Sequence, residues 1–257
     1  YRQRMKQAER DRPVRSIAII GGGTAGWMCA AAISKSFERK INVVLVASEE
    51  IGTIGVGEAT VPHLSAFNAL LGIPEAEFVR AVQGTFKLGI QFDDWGKVGD
   101  SYVHGFGTMG RDLGLMPFHQ YWLKARGLGQ AKDIGVYSLN TLAAVADKFM
   151  TPPSDAPRNS PLAEIAYAYH FDAGRYARFL RQRAEAQGAR RIEGKVVTVQ
   201  QSSGTGFVES VTLESGDTIA ADLFLDCSGF RSLLLGGTLD VEFDDWTHWL
   251  PCDRALV

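Results

Sequence analysis

The stretch SIAIIGGGTAGWMCAAAISKSF, residues 16–37, constrains this chain more than any other. A short β-branched run leads into a glycine-dense turn, and the turn opens an alanine-rich run with helical spacing. Gly21, Gly23 and Gly26 satisfy G-x-G-x-x-G in the context that pattern needs, after a strand and at the start of a helix. The glycines permit a tight turn and close approach to a pyrophosphate, and the helix start offers free N–H groups and positive partial charge. INVVLVAS (41–48) supplies the next strand, completing a βαβ opening. The expected class is α/β with a Rossmann-like core that binds a dinucleotide. An acidic residue for the ribose is expected about 20 positions on. Ala47 and Ser48 occupy that place, with Glu49 one or two positions late.

The chain has 257 residues, 46% hydrophobic and 22% charged, enough for one large core or two smaller ones. A net charge of −2 provides no general field for nucleic acid or an anionic membrane, so neither partner is expected. Cys29, Cys227 and Cys252 lie far apart without CxxC spacing, so neither a metal site nor a disulfide framework is expected, and a reducing cytoplasm is the simplest location. Residues 1–15 are highly charged, lack the apolar core of a signal peptide and read as a solvated tail. No run of about 18 apolar residues appears. The first residue is not Met, and HWLPCDRALV ends in mid-pattern, so a trimmed start and a longer protein are expected.

Between these ends, residues 64–71 and 75–82 read as helices, 96–118 as a long glycine-rich loop, and 118–129 and 138–150 as helices. Residues 151–161 are a Pro/Ser-rich loop, and 172–188 is a helix with an Asp N-cap and a C-terminal Gly. Three strand patterns follow at 191–201, 206–215 and 218–229. The first two form a small meander, and the third, apolar throughout, returns to a buried parallel sheet. The pieces read as one interleaved domain over 16–257.

Several short stretches carry candidate chemistry. TFKLGIQFDDW (85–95) reads as one strand with Phe86, Leu88, Ile90 and Phe92 on one face and Lys87, Gly89 and Gln91 on the other. On that stretch alone Lys87 points to water, since lysine is rarely buried without a partner. GTIGVGEATVP (52–62) sets Gly55, Gly57 and Glu58 where a backbone can pass close to a flat ligand, or where an ordinary glycine loop runs. His104 and Phe106, two apart in SYVHGFG, face the same way on an extended segment and can stack on an aromatic ring, or simply pack locally. His170 and Asp172 precede a helix, and capping explains Asp172 without chemistry. DLFLDCSGF ends a buried strand at Asp226, where open α/β sheets place ligands, and Cys227 there reads as a buried small hydrophobe.

GGGTAGW, IGTIGVGEATVP, TFKLGI, HGFG, YHFDAGRYARFL and DCSGFRSLLL, in this order, resemble the flavin-dependent halogenases of the tryptophan halogenase type, from about Ile17 to Val257. The resemblance implies an FAD-binding module of the glutathione-reductase type, with inserted helices and a β-meander, apparently lacking its C-terminal part. It implies that FADH2 from a separate flavin reductase activates O2, that chloride or bromide becomes hypohalous acid, and that a lysine relays the halogen to an electron-rich ring. By motif that lysine is Lys87, and the small Gly89 and polar Gln91 beside it suit a lysine side chain that looks into a tunnel. The implied cofactor contacts are Gly21, Gly22, Gly23, Thr24, Ala25, Gly26, Ser48, Ile51, Val56, Glu58, Ala59, Val196 and Asp226. His104 and Phe106 are the implied substrate-sandwiching pair. The family's W-x-W-x-I-P segment, halide site and partner glutamate have no counterpart in residues 1–257. The substrate is a small aromatic, either tryptophan, indole or an indole derivative; the short loop between Trp95 and His104 tilts this toward indole or another small ring. A monomer or homodimer is expected. Two other readings stay open on the residues: a flavin monooxygenase that hydroxylates its substrate directly, and a non-catalytic FAD-binding fragment.

Overall fold

In the computed structural model, residues 13–51 and 57–252 are described. Val56, Gly55 and the tail up to residue 12 lie outside the described residues. The elements in chain order are β1 Ser16–Ile20, α1 Thr24–Phe37, β2 Asn42–Ala47, β3 Gly57–Ala59, α2 His63–Leu70, α3 Glu75–Val82, β4 Thr85–Lys87, β5 Gly89–Asp93 and β6 Ser101–Gly105. After these come α4 Phe118–Gly127, α5 Leu139–Val145, β7 Ala168–Asp172, α6 Ala173–Ala186, β8 Arg190–Glu193, β9 Val196–Gln201, β10 Val208–Leu213, β11 Thr218–Ala220 and β12 Leu223–Asp226. They fall into two compact units, residues 13–51 with 172–252, and residues 57–171.

The first unit is built on a four-stranded parallel sheet in the order β12-β1-β2-β8. Ile17 to Ile20 and Val43 to Val46 are buried, as expected of strands covered on both faces. The register sets Ile20 opposite both Val46 and Asp226, so three strands end level at one edge. Helix α1 packs against α6; Ala30 and Ala31 of α1 and Tyr176 and Leu180 of α6 are buried. Burying the latter two side chains contributes about 1.5–3 kcal/mol each. Asp172 caps α6 by accepting from the Arg175 N–H at 2.8 Å, as its sequence position predicts. The antiparallel meander β11-β10-β9 packs Val211, Leu213 and Ile219 into a cluster with Ala18, Ile20, Val44 and Val46.

The three strand patterns between 191 and 229 therefore divide differently from the sequence reading. Arg190–Glu193 joins the parallel sheet while Val196–Gln201 starts the meander, and Thr218–Ala220 closes the meander while Leu223–Asp226 returns to the sheet. Gly194 takes φ +154, a conformation that L side chains rarely adopt, and this breaks the first pattern in two.

The second unit holds the sheet β3-β7-β4 and the antiparallel pair β5-β6. The stretch 85–95 is not one strand: it divides at Leu88, with Thr85–Lys87 paired to β7 and Gly89–Asp93 paired to β6. The face shared by Lys87, Gly89 and Gln91 does not persist across that break. Lys87 is buried, while Gln91 is exposed and donates to Asp93. Gly89 instead serves the β5-β6 pair, where a Cβ would overlap the His104 carbonyl oxygen. Nor is 96–118 a loop throughout, since it contains β6; a strand flanked by glycines shows little periodicity of its own and forms against its partner. Tyr169 and Phe171 lie on β7, read from sequence only as the approach to a helix, and pack edge-on against Phe78 of α3. The helix expected over 138–150 is limited to α5, with Ser138 as its N-cap, and Asp147 at φ 52 lies just beyond its end.

Among the described residues, no helix is long and apolar enough to cross a membrane, and no His/Cys/Asp/Glu group could hold a metal ion.

Candidate functional site

The first unit places a tight glycine turn at the start of α1. Gly21 follows β1 at φ 120 and donates its N–H to the Val46 carbonyl at 2.9 Å. A Cβ there would overlap the Cys227 carbonyl, one at Gly22 would run into the Ala47 side chain, and one at Gly26 would overlap the Gly21 carbonyl. The turn is thus as tight as the strand ends and α1 allow. Gly23 is the extended N-cap of α1, with no side-chain cap and no acidic residue in the first turn. The leading N–H groups at Thr24 and Ala25 therefore keep their capacity for an anion, with the positive end of the helix behind them.

The segment after β2 is held by β8. Glu49 donates its N–H to Glu193 at 2.9 Å and its carboxylate lies 3.5 Å from Arg191, while Glu50 pairs with Lys195. The Glu49 N–H bond and the Arg191 guanidinium outweigh desolvation and hold the Glu193 carboxyl below the usual range. The Ser48 hydroxyl accepts from the Glu50 N–H at 3.3 Å, and Ile51 is exposed. Val196 packs its side chain against the sheet–meander core.

Asp226 is committed to the chain itself. One carboxylate oxygen accepts from the Ser228 N–H and hydroxyl at 3.1 and 2.6 Å, and the other accepts from the Leu234 and Leu235 N–H groups at 2.7 and 3.0 Å. Partial burial pushes its pKa up, but these donors together outweigh it and the carboxyl lies below its ordinary value. Cys227 is half-buried, and burial, then the neighbouring Cys29 thiol, pushes its thiol up to about 12. The thiol is thus held protonated, at a position that is half-buried and not the fully buried one expected from sequence.

The second unit offers the lysine. Lys87 ends β4 with 8% of its surface exposed, against the sequence expectation that it points to water on the local pattern. Its Nζ donates to the Thr60 carbonyl at 3.0 Å and stands 5.4 Å from the centroid of Phe106. Burial lowers its pKa. Lys87 pairs with the fully buried Ala168 on β7, so the ladder sets it at a buried position. At the end of β6, Gly105 is buried against the start of α5, where a Cβ would press on Thr141 and Ser138. Of its neighbours, His104 is exposed and Phe106, just past the strand, is half-buried. Glu58, on β3, is half-buried and Ala59 exposed.

Two participants escaped the sequence reading, Thr60 and Tyr169. Thr60 supplies the acceptor for Lys87, and Tyr169 holds Thr60; only the β3-β7-β4 pairing brings them together, and no local pattern announces it. A separate hollow of about 480 Å³ in the same unit is lined by Phe118, Tyr121, Tyr137, Arg111 and Glu164 among others, and its lining does not include Lys87, His104 or Phe106.

A parallel sheet ending level at an uncapped, glycine-lined helix start defines a dinucleotide-binding protein of the α/β class. Comparison with known proteins narrows this: the tryptophan halogenase family model matches residues 16–257, and the chain belongs to that family. It is 33% identical to the tryptophan 6-halogenase ThaL of Streptomyces albogriseolus and 34% identical to the tryptophan 7-halogenase RebH of Lentzea aerocolonigenes. These alignments cover 96% and 95% of this chain and 48% of each relative, so the chain spans about half the length of the curated relatives it matches. Among solved structures, Xcc4156, a flavin-dependent halogenase from Xanthomonas campestris, is 48% identical with a TM-score of 0.86 over 93% of this chain and 47% of its own. BrvH, a flavin-dependent halogenase from Brevundimonas sp. BAL3, is 42% identical with a TM-score of 0.85 over 93% of this chain and 47% of its own. The fold expected from the residues is thus the fold observed, and the family is one of flavin-dependent enzymes.

Proposed function

We propose that the protein to which this chain belongs halogenates an electron-rich aromatic of the indole or tryptophan type, using FADH2 supplied by a separate reductase, O2 and chloride or bromide. Residues 16–257 act in this reading as one FAD-binding halogenase module behind the charged tail. The observation that carries it is Lys87, buried and hydrogen-bonded beside Phe106, in a chain matched by the family over almost its whole length.

The glycine cradle fits the cofactor: Gly21, Gly22 and Gly26 leave the backbone bare, and the N–H groups of Thr24 and Ala25 receive the pyrophosphate. Ser48, Ile51, Val56, Glu58, Ala59 and Val196 are the remaining proposed contacts, and Asp226 contributes by fixing the turn from Ser228 to Leu235. When bound, reduced flavin with O2 supplies the oxidising equivalents that turn halide into hypohalous acid. Lys87 receives that acid. Its lowered pKa enlarges the neutral fraction, which forms an N–halogen bond as the oxygen–halogen bond breaks and water leaves. Its remaining N–H groups can equally hold the acid by hydrogen bonding. In either mode the ring carbon takes the halogen and loses its proton, with His104 and Phe106 orienting the ring.

The test is product mass spectrometry on the complete protein with FAD, a flavin reductase, NADH and bromide, offering indole and tryptophan together. The expected product is a doublet of near-equal peaks about two mass units apart, lost without bromide. A product that gains oxygen without halide dependence would instead make the protein a monooxygenase.

A further inference from the structure

We propose that Thr60 is the positioning residue for Lys87, and that Tyr169 and Glu75 hold it in place. This rests on the reading of Lys87 as the halogen relay. Thr60 is fastened to the backbone of Tyr169 at three points: its N–H and its hydroxyl each donate to the Tyr169 carbonyl at 3.0 Å, and the Tyr169 N–H donates to the Thr60 hydroxyl oxygen at 3.1 Å. A residue held this way has little freedom in the direction of its own carbonyl, and that carbonyl accepts from the Lys87 Nζ. Tyr169 is itself anchored. It is 2% exposed, its phenol donates to Glu75 at 2.7 Å and accepts from the Ser65 hydroxyl at 3.1 Å, and its ring stands edge-on to Phe78 at 5.0 Å. One connected path thus runs from Glu75 through Tyr169 and Thr60 to Lys87.

The chemistry gives this path a purpose. A lysine on a flexible four-carbon stem, left without an acceptor in a buried position, gains by swinging toward water. A fixed carbonyl removes that option. Because a carbonyl only accepts, it engages an N–H of Lys87, so the lone pair of the neutral amine, or the other N–H groups, point elsewhere, toward the incoming acid. A displacement of about 1 Å at such a nitrogen can cost up to about 100-fold in rate. The charged groups packed around it leave room for this role. His170 on β7 is held below its ordinary pKa by burial and then by the Lys87 charge. The phenol of Tyr169 is pushed up to about 12, mainly by burial, and that of Tyr167 is pushed up by burial and then by Glu75, so both stay protonated.

The test compares Thr60→Val, which removes the hydroxyl and keeps the size, with Thr60→Ser, which restores it, in the complete protein. Two quantities are read: the pH midpoint of Lys87 acetylation by acetic anhydride, followed by peptide mass spectrometry, and brominated product formed per flavin oxidised. Thr60→Val is expected to shift the midpoint by about one pH unit, because the carbonyl that accepts from Lys87 is no longer fixed by the hydroxyl, and to lower product per flavin at least about tenfold. Thr60→Ser is expected to match the wild type in both. Tyr169→Phe, which keeps the ring and the backbone contacts, is expected to move both in the same direction by less, and it serves if Thr60→Val fails to fold. A purely structural role would reduce the yield of folded protein and leave the midpoint and the product ratio of the folded fraction unchanged, which would overturn the proposal. Lys87→Ala run alongside separates the two levels of argument. If it still brominates, the relay reading fails; if it does not, and Thr60→Val behaves as wild type, the positioning role alone fails.

Discussion

At the turn after β1, the contacts that shape the site come from residues a few positions apart or from strand ends brought level by a parallel register. At Lys87, by contrast, the acceptor, Thr60, lies 27 residues away, and Tyr169, which holds this acceptor, lies 109 residues from Thr60. The cradle is made of backbone and works because side chains are missing at Gly21, Gly22 and Gly26. The lysine site depends on side chains, the Lys87 amine and the Thr60 hydroxyl, held against backbone groups in a β-ladder that buries the lysine. Substitution should therefore break the first by adding atoms and the second by removing them.

The largest effect expected from that contrast is at Gly26. In Gly26→Ala the new Cβ meets the Gly21 carbonyl, a backbone atom that cannot step aside without opening the turn. Stability should fall by at least about 2 kcal/mol in urea titrations, with FAD affinity, followed by flavin fluorescence, falling at least about tenfold. An unchanged affinity would mean that the turn does not cradle the cofactor. A smaller effect is expected at Asp226, a side chain serving the backbone of the first unit. Asp226→Asn replaces an acceptor of four hydrogen bonds with a group that partly opposes them, and should cost about 1 kcal/mol at neutral pH after discounting for partial solvent exposure. Because the folded carboxyl titrates below its ordinary value of 3.8, its contribution is present above that pH and lost as pH falls through the folded pKa. The difference between wild type and variant should therefore shrink below about pH 4, and a pH-independent difference would exclude the charge as its source. Smallest is Asp172→Ala, which removes the α6 cap at a cost of about 1 kcal/mol or less in thermal denaturation and leaves the pH dependence of product formation unaltered.

The same contrast explains which features the sequence disclosed. The βαβ opening, the Asp172 cap and the glycine fingerprint depend on local spacing, and each is found where its residues predict. The break at Leu88, the strand at 101–105 and the split of 190–226 into five strands depend on which partner each segment finds, and alternation within a segment does not encode the partner. For the same reason the local pattern turned Lys87 toward solvent, and only the resemblance of TFKLGI to a family motif marked it. Thr60 lies inside another of those motifs, GVGEATVP, yet its hydrogen bonds to Tyr169 and Lys87 follow from the pairing of β3 with β7, which the motif does not encode.

The most direct test of the account measures two outputs at once, brominated product and hydrogen peroxide, in the complete wild-type protein and in Lys87→Ala under identical flavin supply. The prediction is that Lys87→Ala loses bromination by at least about 100-fold while flavin oxidation continues and appears as peroxide. Bromination by Lys87→Ala at the wild-type rate would contradict the assignment of the buried lysine as the relay.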